Sequence, residues 1–197
     1  MGKTAVFVLT ILQRLDESDP DPCSALIIAN VKELAYQIQQ EIERLGKFLK
    51  NIRSAVFFGG QPFSENKKML EAKGKGKEGP PHIIVGTPGR ILHLIRENVL
   101  KLDNLKFFVL DECDKLVEEL GEISSILNLT FPLDMRSTVQ QIFRKTPHEK
   151  QVMMFSATLS KKNRLVCKKF TLNVPSLVFH NPSPSSPKMS SLMMRRS

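Results

Sequence analysis

Short apolar runs rich in β-branched and aromatic residues recur along the chain, separated by stretches whose apolar positions follow a helical period. Residues 25–29, 54–58, 82–85, 105–110, 151–155 and 176–179 read as buried strands, because near-continuous apolar runs of this length suit strands covered on both faces. Between the first two runs, Leu34, Ile38, Ile42, Leu45 and Leu49 recur at helical steps and draw one apolar stripe along a helix. Shorter helices are expected at 5–15, 90–97, 139–143 and 161–170. Strands alternating with helices imply repeated βαβ units, hence an α/β fold with a parallel sheet flanked by helices in one domain over residues 1–180. Ligands of such sheets bind beyond the carboxyl ends of the strands, so chemically active residues are expected just after each run.

Three segments break the pattern. Residues 67–81 contain Lys73, Lys75 and Lys77 alternating with glycine and end in Gly79-Pro80-Pro81, which reads as a solvated basic loop. Residues 121–133 place an apolar run between two charged helical stretches and read as an insertion. From Asn181, Pro, Ser, Met and Arg dominate without periodicity, as in a disordered tail over 181–197.

Composition narrows the class. With 41% hydrophobic and 25% charged residues, the chain has the balance of a globular protein. No stretch reaches the roughly 20 apolar residues that cross a bilayer, so no membrane partner is expected. Cys23, Cys113 and Cys167 are far apart, which argues against a disulfide framework or zinc site and for a reducing compartment. The formal charge of +9 favours a polyanionic partner, although solubility accounts for part of it.

The candidate chemistry lies where the strands end. Phe107-Phe108-Val109-Leu110 delivers Asp111, Glu112 and Asp114, a pattern suited to Mg²⁺-nucleotide hydrolysis or simply to a solvated acidic turn. Gly2-Lys3-Thr4 enters a helix, as at the end of a phosphate-binding loop, where backbone amides and the Lys meet phosphate and the hydroxyl binds Mg²⁺; a chance tripeptide is the alternative. Ser156 and Thr158 follow another buried run and can hydrogen-bond Asp111 or Asp114, or cap the next helix. Thr87, Gly89 and Arg90, and separately Gly59 and Gly60, suit contact with a nucleic-acid backbone, or ordinary turns.

In this order, Gly2-Lys3-Thr4, Val31-Lys32-Glu33-Leu34-Ala35, Gly59-Gly60, Thr87-Pro88-Gly89-Arg90, Asp111-Glu112-Cys113-Asp114 and Ser156-Ala157-Thr158 resemble the phosphate loop and motifs Ia, GG, Ib, II and III of the DEAD-box RNA helicases. The run from Thr146 to Ser160 adds to the likeness, which extends to about Phe170. Asp-Glu-Cys-Asp is similar to the subgroup acting in nuclear mRNA splicing and export. The resemblance implies a RecA-like first lobe with ATP and Mg²⁺ as cofactors. Gly2, Lys3 and Thr4 would bind ATP, Thr4 and Asp111 the metal shell, and Glu112 with Asp111 would be catalytic. Asp114, Ser156 and Thr158 would couple nucleotide to RNA. Lys32, Glu33, Gly59, Gly60, Thr87, Gly89 and Arg90 would hold an RNA backbone without reading bases.

The resemblance further implies splicing and export proteins as partners, a nuclear location and a monomer. Some features depart from the family pattern. Motif Ia carries Val31-Lys32 where the family has Thr-Arg, which replaces a planar fork by a point charge. The Q motif, the upstream half of the phosphate loop and the second lobe with its arginine fingers lie outside these 197 residues. The expected function is therefore an ATP-dependent RNA helicase represented by an impaired first lobe, and the alternative is a non-catalytic RNA-binding or partner-competing fragment.

Overall fold

The apolar runs become strands in the computed structural model, which describes residues 2–15, 21–73, 79–117, 135–156, 178–179 and 191–193. Strands β1 (Ala25–Ile28), β2 (Ser54–Phe57), β3 (Ile83–Gly86), β4 (Phe107–Leu110) and β5 (Gln151–Phe155) are mutually parallel in the order β2-β3-β1-β4-β5. Helices α1 (Gly2–Arg14), α2 (Lys32–Leu45), α3 (Phe63–Leu70), α4 (Pro88–Arg96), α5 (Cys113–Val117) and α6 (Met135–Arg144) alternate with them. This is the RecA-like arrangement expected from the sequence.

Alternation along the strands divides the core in two. Ala25, Ile27, Ile83, Val85, Phe107, Val109, Met153 and Phe155 meet Phe7, Val8 and Ile11 of α1 and Ile38 and Ile42 of α2. Their neighbours Leu26, Ile28, Phe57, Ile84, Phe108, Leu110, Val152 and Met154 meet Ile91 and Leu94 of α4 and Val139 and Ile142 of α6. Because both faces are covered, the strands read as unbroken apolar runs. Phe7 lies against Phe155 with ring centroids 5.2 Å apart, which holds the middle of α1 against the end of β5.

Three expectations need correction. Lys67 to Leu70, assigned to a basic loop, form the last turn of α3, and the loop's end is not solvated. Gly79 and Pro81 are buried, and Pro81 O accepts the Cys23 N–H at 3.0 Å. The missed helix has a physical reason: the residue at its buried position is Asn66, so Phe63 and Leu70 alone carry the apolar period. The third correction concerns the last strand. β6 (Val178–Phe179) does not extend the parallel pattern but pairs antiparallel with β7 (Ser191–Met193), which itself pairs antiparallel with β5. β7 lies within the stretch read as an irregular tail. The expected helix 161–170 and insertion 121–133 lie outside the described residues. No helix among the described residues is long and apolar enough to cross a membrane.

At the opposite end of the sheet a buried histidine ties β2 to β3. His82 is 3% exposed, its Nδ1 accepts the Arg53 backbone N–H at 2.9 Å, and Arg53 also reaches Gly79 O. Burial, and then the Arg53 charge, push its pKa below the usual imidazole value of 6.5. A depressed pKa means that the neutral form stabilises the fold above the unfolded value and that this contribution is lost as pH falls through the lower, folded one. The urea midpoint is therefore expected to fall as pH drops below about 6.5, and His82→Asn, which keeps an acceptor without titrating, should flatten that slope.

Candidate functional site

The register sets the strand tips level. Ile28, Phe57, Gly86, Leu110 and Met154 lie abreast across the five parallel strands. The residues that follow therefore share one edge: Asn30 after β1, Phe58 to Gly60 after β2, Thr87 after β3, Asp111 and Glu112 after β4, and Ser156 after β5. The chain order reverses across β1, with β3 on one side and β4 on the other, so this edge contains the switch point at which α/β sheets place their ligands.

On the β4–β5 side the structure gathers the acidic residues. Asp111 is 4% exposed, and its Oδ1 accepts the Glu112 N–H at 3.0 Å. Burial raises its pKa, the Glu112 N–H and the charge of Lys3 oppose that shift, and the Glu112 and Asp114 charges add to it. Lys3, in the first turn of α1 with Gly2 and Thr4, is thus close enough for its charge to be felt at Asp111. Ser156, 1% exposed, donates to Asp114 Oδ1 at 2.7 Å, joining β5 to the start of α5. Thr158, its expected companion, lies outside the described residues.

Glu112 holds a φ of 48°, and its carbonyl accepts the Lys115 and Leu116 amides that begin α5. The left-handed region costs a non-glycine residue about 1–3 kcal/mol, and such strain concentrates at functional sites. It turns the chain sharply after Asp111 so that two successive carboxylates leave the strand tip. Glu112 also pairs with Lys115 at 3.3 Å, an exposed contact of little energetic weight.

The raised pKa of Asp111 sets the sign of a test. A carboxyl titrating higher in the folded state gives its full stability below its unfolded pKa of about 3.8 and loses it as pH rises through the folded value. At neutral pH the charge therefore opposes folding. Asp111→Asn should raise the thermal midpoint at pH 7, with the gain disappearing below pH 3.8. A lower midpoint at pH 7 would contradict this assignment.

Toward β2 and β3 a cleft of about 550 Å³ opens, lined by Asn30, Gly59, Thr87, Gly89, Arg90 and His93 among others. Thr87 and Pro88 open α4, and the Thr87 N–H donates to Phe57 O at 3.0 Å. Gly60 has a φ of 93°, which lets the chain turn after β2, and nothing lies within 4 Å of a side chain added at Gly59 or Gly60. Arg90 is not simply an open phosphate grip: its Nε donates to Phe58 O at 3.2 Å and its Nη2 to Gln61 O at 2.5 Å. It fastens the diglycine turn to α4. Lys32 and Glu33 begin α2 beside the tip of β1, pairing loosely with each other at 3.8 Å.

Two residues escaped the sequence reading. Gln61 accepts the Phe58 N–H at 3.0 Å, donates to Val56 O at 3.2 Å and receives Asn66 Nδ2 at 3.3 Å, so it closes the diglycine turn from within. Asn30 lines the cleft with its Oδ1 buried and without a hydrogen-bond partner. Neither carries a periodic or spacing signal.

Among the described residues no group of three or more His, Cys, Asp or Glu side chains forms a metal site by itself. Nucleotide-bound Mg²⁺ needs only one or two protein carboxylates and takes its remaining ligands from water and phosphate. Asp111 suits it, since its one described hydrogen bond uses Oδ1 and no described cation lies within ion-pair distance.

Comparison with known proteins agrees with this geometry. The DEAD/DEAH box helicase family matches residues 1–166. The chain is 54% identical over 170 residues to the ATP-dependent RNA helicase WM6 of Drosophila melanogaster, covering 86% of this chain and 36% of that protein. It is 50% identical to the ATP-dependent RNA helicase sub2 of Aspergillus fumigatus, covering 88% and 36%. The Saccharomyces cerevisiae Dbp5 structure bound to RNA and ADP BeF3 superposes with a TM-score of 0.69 at 29% identity, over 91% of this chain and 39% of that one. The chain thus spans about a third of the length of the curated relatives it matches.

Proposed function

The chain belongs to the DEAD/DEAH box helicase family, and on that footing we propose that it forms the nucleotide-binding first lobe of an ATP-dependent RNA helicase. The observation that carries this reading is the level row of strand tips, which sets Asp111 and Glu112 on the same edge as the Asn30–Gly59–Thr87–Arg90 cleft, with Lys3 close enough for its charge to act on Asp111. In this reading Gly2, Lys3 and Thr4 receive the triphosphate, Asp111 and Thr4 hold Mg²⁺, which supplies charge neutralisation when bound, and Glu112 orients and deprotonates the attacking water. Asp114 and Ser156 transmit the state of that crevice through their hydrogen bond. The amides near Gly59, Gly60, Thr87 and Gly89, with Lys32 and Glu33 in the first turn of α2, hold an RNA backbone without base selection.

Arg90 keeps the diglycine turn in place with two of its donors and offers the remaining ones to the RNA backbone. The likeness to WM6 and sub2, both ATP-dependent RNA helicases, supports the helicase reading, and the Asp-Glu-Cys-Asp sequence extends the proposal to a nuclear role in mRNA splicing and export, with proteins of those processes as partners.

RNA binding tests the cleft. Anisotropy with a labelled oligo(U) should fall with rising salt, as phosphate contacts require, and Thr87→Asp should weaken binding about tenfold or more through charge repulsion at a phosphate contact. Equal affinity for the variant would exclude this cleft as the RNA site.

A further inference from the structure

A second cleft, of about 530 Å³, lies between the carboxyl-terminal ends of α4 and α6. Leu92, Ile95, Leu100 and Leu102 line it with apolar surface. Around them, among the described residues, stand four cations, Arg96, Lys101, Arg144 and Lys145, against a single carboxylate, Asp103. Among the described residues none of the four lies within ion-pair distance of a carboxylate. Other lysines and arginines of the chain, such as Arg44 and Lys106, do have such partners.

The walls are fixed. Asn98 takes a φ of 56°, and the amides of Val99 and Leu100 both return to Leu94 O at 3.0 Å, so the chain turns sharply out of α4. Arg96 Nη2 donates to Gln141 Oε1 at 2.8 Å and ties α4 to α6 across the cleft. The position also matters. Leu102 and Asp103 precede β4 and Lys145 precedes β5, which puts the cleft at the end of the sheet opposite the strand tips. An occupant would leave the nucleotide and RNA edge open.

We propose that this cleft docks an acidic amphipathic helix from a partner protein. Apolar side chains at i, i+3/i+4 and i+7 of that helix meet the leucine floor, and its flanking carboxylates pair with the basic rim. Charge complementarity selects the occupant: each unpaired rim cation gains a partner, and salt weakens the complex. RNA would satisfy the rim but not the floor, because among the described residues no aromatic side chain lines the cleft to stack a base.

The test is a displayed library of peptides of about 16 residues, long enough for four helical turns. It is selected on the 197-residue chain, with the R144E/K145E variant as counter-target. Both substituted residues are exposed, and circular dichroism with oligo(U) affinity verifies that the variant keeps its fold and its RNA cleft. The expected result is enrichment of Asp- and Glu-rich sequences with Leu, Ile or Phe at helical spacing. Such peptides, made synthetically, should bind the variant at least about tenfold more weakly, and oligo(U) should not displace them. Peptides that bind both chains equally, or no enrichment, would overturn the proposal. Displacement by oligo(U) would assign the cleft to RNA and overturn it too. So would enrichment seen only after residues 118–134 are replaced by a Gly/Ser linker, because that result would assign the cleft to the acidic, apolar stretch containing Glu118, Glu119 and Glu122 of the same chain.

Discussion

Replacing Gly86 by valine should cost the fold about 3 kcal/mol or more, at the upper end of what overpacking does in a close-packed core. A Cβ at this position would lie 2.6 Å from Phe57 O and 2.6 Å from the Ile91 Cδ1. Ile91 can rotate away only into an interior where it is already fully buried. Phe57 O cannot retreat, because it accepts the Thr87 N–H and its strand is held in register against β3. The strain falls one residue before Thr87, so the cleft should be lost together with stability. Urea denaturation measures the first effect and oligo(U) binding the second. A midpoint within error of the parent chain would show that β2 and β3 are not packed as described. Gly86→Ala should move both quantities in the same direction by less.

The second large effect concerns turnover. These 197 residues by themselves should hydrolyse ATP about 10³–10⁵ times more slowly than full-length relatives, the factor that an arginine finger contributes to phosphoryl transfer. Lys3 is the one cation whose charge is registered at Asp111 among the described residues. The resemblance to the DEAD-box helicases implies that the remaining transition-state cations are supplied by a second lobe. Glu112→Gln should remove what turnover remains, since it deletes the carboxylate that handles water while leaving the turn at φ 48° in place. RNA-stimulated turnover of the isolated chain at a rate near that of a full-length relative would contradict this division of labour.

How much of this was written in the sequence depends on what kind of signal each element carries. Strands buried on both faces announce themselves as apolar runs, which is why β1 to β5 were legible to within two residues at either end. Helix α2 was equally plain, its stripe being Ile38 and Ile42 with Leu34 and Leu45 on the flanks. Helix α3 was invisible because Asn66, a polar residue, occupies its buried face and is held there by Gln61. The pairing of β6 with β7 is a tertiary choice between short segments that no local pattern encodes.

The site divides in the same way. Motif order located Asp111, Asp114 and Ser156, and the Ser156–Asp114 hydrogen bond is one of the pairings that order suggested. Partners among backbone carbonyls left no trace in the sequence. Arg90 reads from the sequence only as a phosphate grip, with no sign there that two of its guanidinium donors also fasten the Phe58–Gln61 turn. Nor does a sequence show that a carboxyl such as Asp111 is buried deeply enough for its charge to oppose folding.

The direct measurement of the central claim is the binding of a fluorescent ATP analogue to the purified chain, with and without Mg²⁺. Parent, Lys3→Ala and Asp111→Asn should be compared. If triphosphate and metal gather at the β4 tip, the parent binds more tightly with Mg²⁺, Lys3→Ala loses about tenfold or more in affinity, and Asp111→Asn loses the Mg²⁺ dependence while remaining folded. Binding that ignores both substitutions, or that never depends on Mg²⁺, would place the nucleotide elsewhere and contradict the account.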